Sequence, residues 1–123
     1  ILFSEGVVKE RIDPTRFVAL TATNPAKIYG LYPQKGTIAI GSDADLTLWD
    51  PAARTTIRNA DLHHAVDYTP YEGMALTGKP VLTLCRGQAV SRDGAFTAPA
   101  GHGRFLTCDK PTPARPRGQA KGF

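Results

Sequence analysis

Lys35-Gly36-Thr37-Ile38-Ala39-Ile40-Gly41-Ser42-Asp43-Ala44-Asp45-Leu46-Thr47-Leu48-Trp49-Asp50-Pro51 divides this chain. Its reading decides the fold class. Thr37 to Ile40 and Leu46 to Trp49 both alternate between branched apolar residues and small or polar ones, the period of a half-buried strand. Gly41 to Asp45 between them combines a glycine that tolerates positive φ with Ser and Asp side chains that bond to nearby backbone N–H groups. The stretch therefore predicts two short strands joined by an acidic turn. Pro51 is expected to end the second strand, because it has no N–H to give to a ladder.

Upstream of this stretch the pattern is helical. Residues 1–11 are apolar at 1, 2, 3, 7 and 8, with Gly6 in the middle. Asp13-Pro14 is a helix start, with Asp13 as N-cap and Pro14 in the first turn. Phe17, Val18 and Leu20 form the expected core-facing stripe. The Thr21 to Pro25 run predicts an interruption, since Pro25 disfavours the α conformation at Asn24. A second short helix, 26–29, is expected to end at Gly30.

Downstream the pattern is strand and turn. A weak strand is expected over 54–58 and another over 74–77. A turn is expected at Gly78-Lys79-Pro80. Val81 to Arg86 is the most apolar strand. Gly87 and Arg92-Asp93-Gly94 signal two further turns around an extended 88–91. Residues 59–73 are too polar and irregular for a long element.

The chain has 123 residues, one domain's worth or less, and begins without Met, which reads as a start in mid-protein. Two cysteines define no disulfide framework, which suits reduced thiols and a cytoplasmic location. No apolar run is long enough for a membrane helix, so no membrane partner is expected. The net charge of +4 resides in residues 101–123, where five basic residues face one acidic residue. With only Phe105 and Phe123 available for stacking, this tail is expected to be solvated or docked on a partner, and no nucleic-acid partner is expected.

Residues that might carry chemistry have plain structural readings. His63 and His64 are adjacent, so in extended chain their rings diverge and do not share a metal. His102 lies in a glycine-rich turn. Asp43, Asp45 and Asp50 lack the spacing and bidentate Glu of a calcium loop and read as turn formers. Ser4, Ser42 and Ser91 have no nucleophile-elbow context. Cys85 reads as an inert strand thiol, and Cys108 as the more exposed one. On residues alone the chain contains no catalytic, substrate-binding or metal site.

The motifs together are nonetheless distinctive. Thr23-Asn24-Pro25-Ala26-Lys27, Gly30-Leu31, Lys35 to Ile38, Gly41 to Leu46 and Trp49-Asp50-Pro51 resemble the C-terminal part of the metal-dependent cyclic amidohydrolases. His63-His64-Ala65-Val66-Asp67-Tyr68-Thr69-Pro70-Tyr71-Glu72-Gly73 is similar to the segment of dihydropyrimidinases and D-hydantoinases, whereas allantoinases and dihydroorotases usually differ there. Val81 to Gly94 and Gly101 to Leu106 extend the resemblance.

That resemblance implies an α+β segment of a larger hydrolase. Residues 1–34 would be the last helices of a (β/α)₈ TIM barrel. Residues 35–100 would complete a small β-sandwich. Residues 101–123 would be a basic tail, at a subunit interface or disordered. It further implies a tetramer, a missing N-terminal barrel as partner, and two zinc ions bridged by a carboxylated lysine, with all metal ligands upstream of Ile1. The segment alone is expected to be inactive and unstable or oligomeric. A non-enzymatic scaffold of the collapsin-response-mediator type is the alternative.

Overall fold

The computed structural model describes residues 1–114 and 118–119. The expectations for the 101–123 tail that fall on residues 115–117 and 120–123 lie outside the described residues. A helical layer formed by the first thirty residues packs on one face of an antiparallel sheet of order β1-β2-β3-β4, with β1 Leu46–Thr56, β2 Ala75–Cys85, β3 Gln88–Arg92 and β4 Ala95–Phe96.

The helical layer begins with Phe3–Val8, a stretch of wide π turns shorter than the helix expected over 1–11. Gly6 is buried where Ile12 folds over it, and a Cβ there would lie 3.0 Å from Ile12 Cδ1. Next, α1 (Pro14–Val18) starts as expected, with Asp13 Oδ1 accepting from Arg16 N at 2.6 Å. The interruption expected at 21–25 does not occur. The helix passes through π turns at Ala19–Thr23 straight into α2 (Asn24–Ile28), and Asn24 is α-helical at φ −69°, ψ −43°. The widened turn relieves the clash between the Pro25 ring and the preceding turn and needs no N–H from it. At its end Leu31 N donates to Ala26 O at 2.7 Å and Gly30 N to Lys27 O at 3.2 Å. With Gly30 at φ +66°, this is a Schellman cap.

Phe17 turns inward as expected, but Val18 and Leu20 remain 49% and 44% exposed. Small Ala19 occupies the inward position instead, only 2% exposed, and lets the backbone approach closely.

The Lys35–Pro51 hairpin does not form. Residues 37–40 pair with no strand, and Ile38 and Ile40 project outward, at 86% and 109% relative exposure. The chain folds back through Asp43 N→Gln34 O, at 2.9 Å, so the acidic turn closes a loop. The partner of β1 is β2, with Leu46 opposite Leu84 and Thr56 opposite Ala75. Both strands run through their prolines, contrary to the stop expected at Pro51 and the turn expected at 78–80. The ladder shifts between Leu48/Trp49 and between Asp50/Arg54. Pro51 falls inside the second shift, where Asp50 Oδ1 accepts from Ala52 N and Ala53 N at 2.9 and 3.2 Å. A bulge leaves residues unpaired, so the missing proline N–H costs no ladder bond.

The two later turns match expectation. Arg86-Gly87 and Asp93-Gly94 all have positive φ, as two-residue hairpin turns require. The 59–73 loop holds one 3₁₀ turn, Asn59–Asp61, and is closed at its base by Ile57 N→Met74 O (3.0 Å) and Gly73 N→Ile57 O (2.9 Å).

Aromatic rings join the layers. Phe3 stacks on Trp49 with centroids 4.3 Å apart, and Phe17 meets both rings edge-on at 5.3 and 5.7 Å. Gly78, at φ +90°, lies under Phe3, and a Cβ there would sit 2.6 Å from Phe3 Cε1. Buried Ser4 adds a polar tie, its Oγ accepting from Thr77 N at 3.1 Å.

Gly78→Ala therefore combines backbone strain of about 1–2 kcal/mol with overpacking of about 1–3 kcal/mol. Gly94→Ala has a similar φ of +89° but meets only Lys79 Nζ at 3.8 Å, so it carries the strain alone. Urea unfolding of the intact protein should rank Gly78→Ala well below Gly94→Ala, and equal losses would remove the aromatic contact as the reason for glycine.

Candidate functional site

The densest polar cluster lies where the helical layer passes to the sheet. Lys35, whose side chain is only 15% exposed, bonds Asp43 Oδ2 at 2.9 Å and also bonds Asp45 Oδ2. Gln34 Nε2 donates to Asp43 Oδ2 at 3.2 Å, and Ser42 Oγ donates to Pro33 O at 2.8 Å. The other oxygen of Asp45 accepts from Arg86 N at 2.8 Å, and Gly87 N donates to Ala44 O at 2.9 Å. The acidic loop is thus tied to the turn between β2 and β3. From that turn the Arg86 side chain reaches Cys85 Sγ (3.4 Å), His102 Nε2 (3.2 Å) and the His102 carbonyl.

Charge follows this geometry. The hydrogen bond from Lys35 holds the Asp43 carboxyl below its ordinary pKa. Burial pushes Asp45 up, but the Lys35 ammonium and the Arg86 N–H outweigh it and the carboxyl ends lower than usual. Burial likewise opposes the charge on Lys35, and its bonds to Asp45 and Asp43 raise its pKa despite that. Asp13 is also lowered, first by the Arg16 N–H and then by that of Gln119.

The remaining candidates are dispersed. His63 Nε2 lies 3.1 Å from Gly94 O, and His64 Nε2 lies 2.9 Å from Asn59 Oδ1, so the adjacent rings serve different partners. Asn59 N in turn donates to Glu72 Oε2 at 2.6 Å. Asp50 forms its bulge turn, and Ser91 sits in β3 opposite Thr83 and Phe96. Cys108 is exposed, whereas Cys85 is half-buried and touched by Arg86, a more polar setting than an apolar strand implied. Among the described residues no three His, Cys, Asp or Glu side chains converge as metal ligands. A shallow depression of about 340 Å³ lies against Pro14, Val18 and Thr23, and another of about 680 Å³ against Arg54, Arg58 and Thr77. Neither is lined by a Ser, Cys or His side chain.

Sequence reading singled out Asp43, Asp45 and His102 but missed what joins them. The signal was slight: one lysine ten residues before Asp45, and an arginine beside the Gly87 turn. The cluster can hold three chain segments together. It presents no open nucleophile and no vacant ligand set.

The chain has counterparts among known proteins. The amidohydrolase family profile matches residues 3–90. D-hydantoinase of Geobacillus stearothermophilus is 52% identical over 107 residues, covering 86% of this chain and 22% of that protein. Dihydropyrimidinase of Rattus norvegicus is 47% identical over 106 residues, covering 86% and 20%. Among solved structures, a D-hydantoinase crystal structure superposes with a TM-score of 0.81 at 50% identity, over 85% of this chain and 23% of that one. Dihydropyrimidinase from Brevibacillus agri NCHU1002 gives 0.82 at 47%, over 89% and 24%. The chain spans about a fifth of the length of the curated relatives it matches.

The ion cluster has a defined pH window. The lowered Asp43 and Asp45 contribute stability that is present above the ordinary carboxylate pKa and is lost as pH falls through their folded values. The raised Lys35 contributes fully below the ordinary lysine value and is lost as pH climbs through its folded one. In the intact protein, Lys35→Met should lower the thermal midpoint by about 2–4 °C at pH 7, and the gap from wild type should close as pH falls through the lowered folded values of Asp43 and Asp45. A gap that persists in acid would mean the lysine stem, not its charge, is what matters.

Proposed function

Because this chain belongs to the amidohydrolase family, we propose that it is the C-terminal structural portion of a cyclic amidohydrolase of the hydantoinase/dihydropyrimidinase kind, which hydrolyses the amide C–N bond of hydantoins or dihydropyrimidines. The observation that carries this reading is the 47–52% identity with proteins named D-hydantoinase and dihydropyrimidinase over 86% of the chain, including the His63 to Gly73 segment. Those names favour a hydrolase over the collapsin-type scaffold.

In this reading residues 1–34 are terminal barrel helices, residues 35–100 belong to the sandwich, and residues 101–123 form a tail at an interface of a cytoplasmic tetramer. Burial supports an incomplete unit. Among the described residues the buried apolar side chains are those of Ala19 and Ala26, and no large side chain is fully buried. Exposed Val18, Leu20 and Ile28 on the helices, and Ile38 and Ile40 beside β1, are the surfaces that a barrel and further strands would cover. Strand β1 is an edge of the sheet, and an open edge accepts another strand.

The residues present do not fit the zinc centre of the family, since no three potential ligands converge among those described. We therefore assign the metal and the hydrolytic groups to the upstream part of the whole protein and derive no catalytic step from this chain. Its own residues hold and cover.

Whole protein should hydrolyse hydantoin or dihydrouracil to the corresponding N-carbamoyl acid, read by the colour reaction of the ureido product. Residues 1–123 expressed alone should give no turnover and no cooperative monomeric melt. Absence of turnover of either ring by the whole protein would overturn the assignment, and a cooperative monomeric melt of residues 1–123 would overturn the structural role.

A further inference from the structure

Both ends of the helical run from α1 to α2 are met by the tail. At the far end, Lys27 O accepts from Thr112 N and Gly30 O accepts from Asp109 N, both at 2.9 Å. A carbonyl has two lone pairs, and Lys27 O takes this bond in addition to the one from Gly30 N. At the near end, Asp13 N donates to Gln119 O at 3.2 Å, and Asp13 Oδ2 accepts from Gln119 N at 2.7 Å. The other oxygen, Oδ1, caps Arg16 N. Asp13 is thus the N-cap of α1 and a docking point for the tail at once. Helix ends are where backbone groups lack partners within the helix, and the tail engages such groups at both ends.

The approach is close at each end. A Cβ at Gly30 would overlap the Asp109 carbonyl, and a Cβ at Gly118 would overlap Asp13 Oδ1. Both glycines have positive φ, +66° and +73°.

The covalent reach of the tail fits the run. Arg16 and Lys27 are eleven residues apart in sequence, about 16 Å at the helical rise. Thr112 and Gly118 are six residues apart, about 19 Å in the extended form that proline favours. Pro111, Pro113 and Pro116 restrict this stretch before it docks, so less conformational freedom is lost on ordering. A tail too polar to build its own core can be ordered by a template of matching length.

We propose that the tail is an intrachain brace, fastened to the end of α2 through Asp109 and Thr112 and to the start of α1 through Gly118 and Gln119. With both ends fastened, the helical run cannot fray from either terminus. The brace acts within one chain, and only its outer side would face a neighbouring subunit. It goes beyond the hydrolase reading above and does not depend on it.

The test is hydrogen exchange in the intact protein, read by mass spectrometry at pH 7. Pro111 and Pro113 carry no N–H, so the Thr112 amide gives an isolated signal. Asp109 and Thr112 should exchange at least about fivefold more slowly than in a free peptide of the same sequence, the factor set by one net hydrogen bond. Thr112→Pro removes one donor from a chain that is already extended, and the Asp109 amide should then exchange about five- to tenfold faster. Gly118→Ala should speed the Asp13 amide by a similar factor and leave the amides of β2 unchanged. Gln119→Cys with Arg16→Cys, bridged by a short bismaleimide in protein whose other reactive cysteines are replaced, should run as a linked monomer on a denaturing gel. Free-peptide exchange at Asp109 and Thr112, Asp109 and Asp13 amides indifferent to these two variants, or a linked dimer or no link in the bismaleimide reaction would each overturn the brace.

Discussion

The carboxylate of Asp45 is engaged from two sides, and the layout of the chain depends on it. One oxygen bonds the Lys35 ammonium, and the other accepts the Arg86 N–H. The first bond closes the linker that leaves the helical layer. The second fixes that linker to the turn between β2 and β3. Residues 37–45 pair with no strand, so their course is set by this bond together with Asp43 N→Gln34 O, Gly87 N→Ala44 O and Ser42 Oγ→Pro33 O. Lys35 is largely shielded and Asp43 is partly so, so the cluster lies between an exposed pair of small value and a buried pair whose desolvation is expensive. Its worth is geometric: three segments far apart in sequence meet at one carboxylate.

A second constraint sets how the helices lie on the sheet. Phe3, Phe17 and Trp49 make a three-ring contact with stacked and edge-on geometry, the arrangements that aromatic quadrupoles favour. The stack requires the absence of a side chain at Gly78. The same glycine sits beside the ladder shift between Asp50 and Arg54, so one position serves both the bulge and the packing. Sheet irregularity and helix docking are here one adaptation.

Much of this was legible in the residues where the cause is local. The Asp13 cap, the Gly30 stop and the positive-φ turns at Arg86-Gly87 and Asp93-Gly94 each follow from chemistry within four residues. The prolines misled for the opposite reason. Pro25, Pro51 and Pro80 forbid a regular helix or ladder, and the fold answers with π turns and bulges, which depend on partners no local pattern displays. The expected hairpin failed likewise. Alternation at 37–40 and 46–49 says that each stretch is extended, but not which stretch pairs with which. Leu46 opposite Leu84 was beyond a local reading. Of the polar cluster, the acidic turn was visible and its cationic partner was not.

The exposed apolar residues have an asymmetry that bears on how the chain is used. Those on the helices, Val18, Leu20 and Ile28, lie on elements whose opposite side already packs through Phe17 and Ala19. Ile38 and Ile40 belong to an extended stretch with the alternation of a strand and no strand partner. One set offers a helix face, the other an unpaired backbone. Covering them takes two different kinds of neighbour: side-chain packing for the first and hydrogen-bonded pairing for the second. Both features lie on the same side of the chain's organisation as the Asp45 clasp, before β1 begins. The β2–β3–β4 hairpins beyond it satisfy their own ladders. The helix face and the unpaired 38–40 stretch both lie in the first forty residues, while beyond them Val66, Tyr68, Tyr71, Phe96 and Phe105 are exposed as well; the clasp is the point at which the helical part is fastened to the sheet.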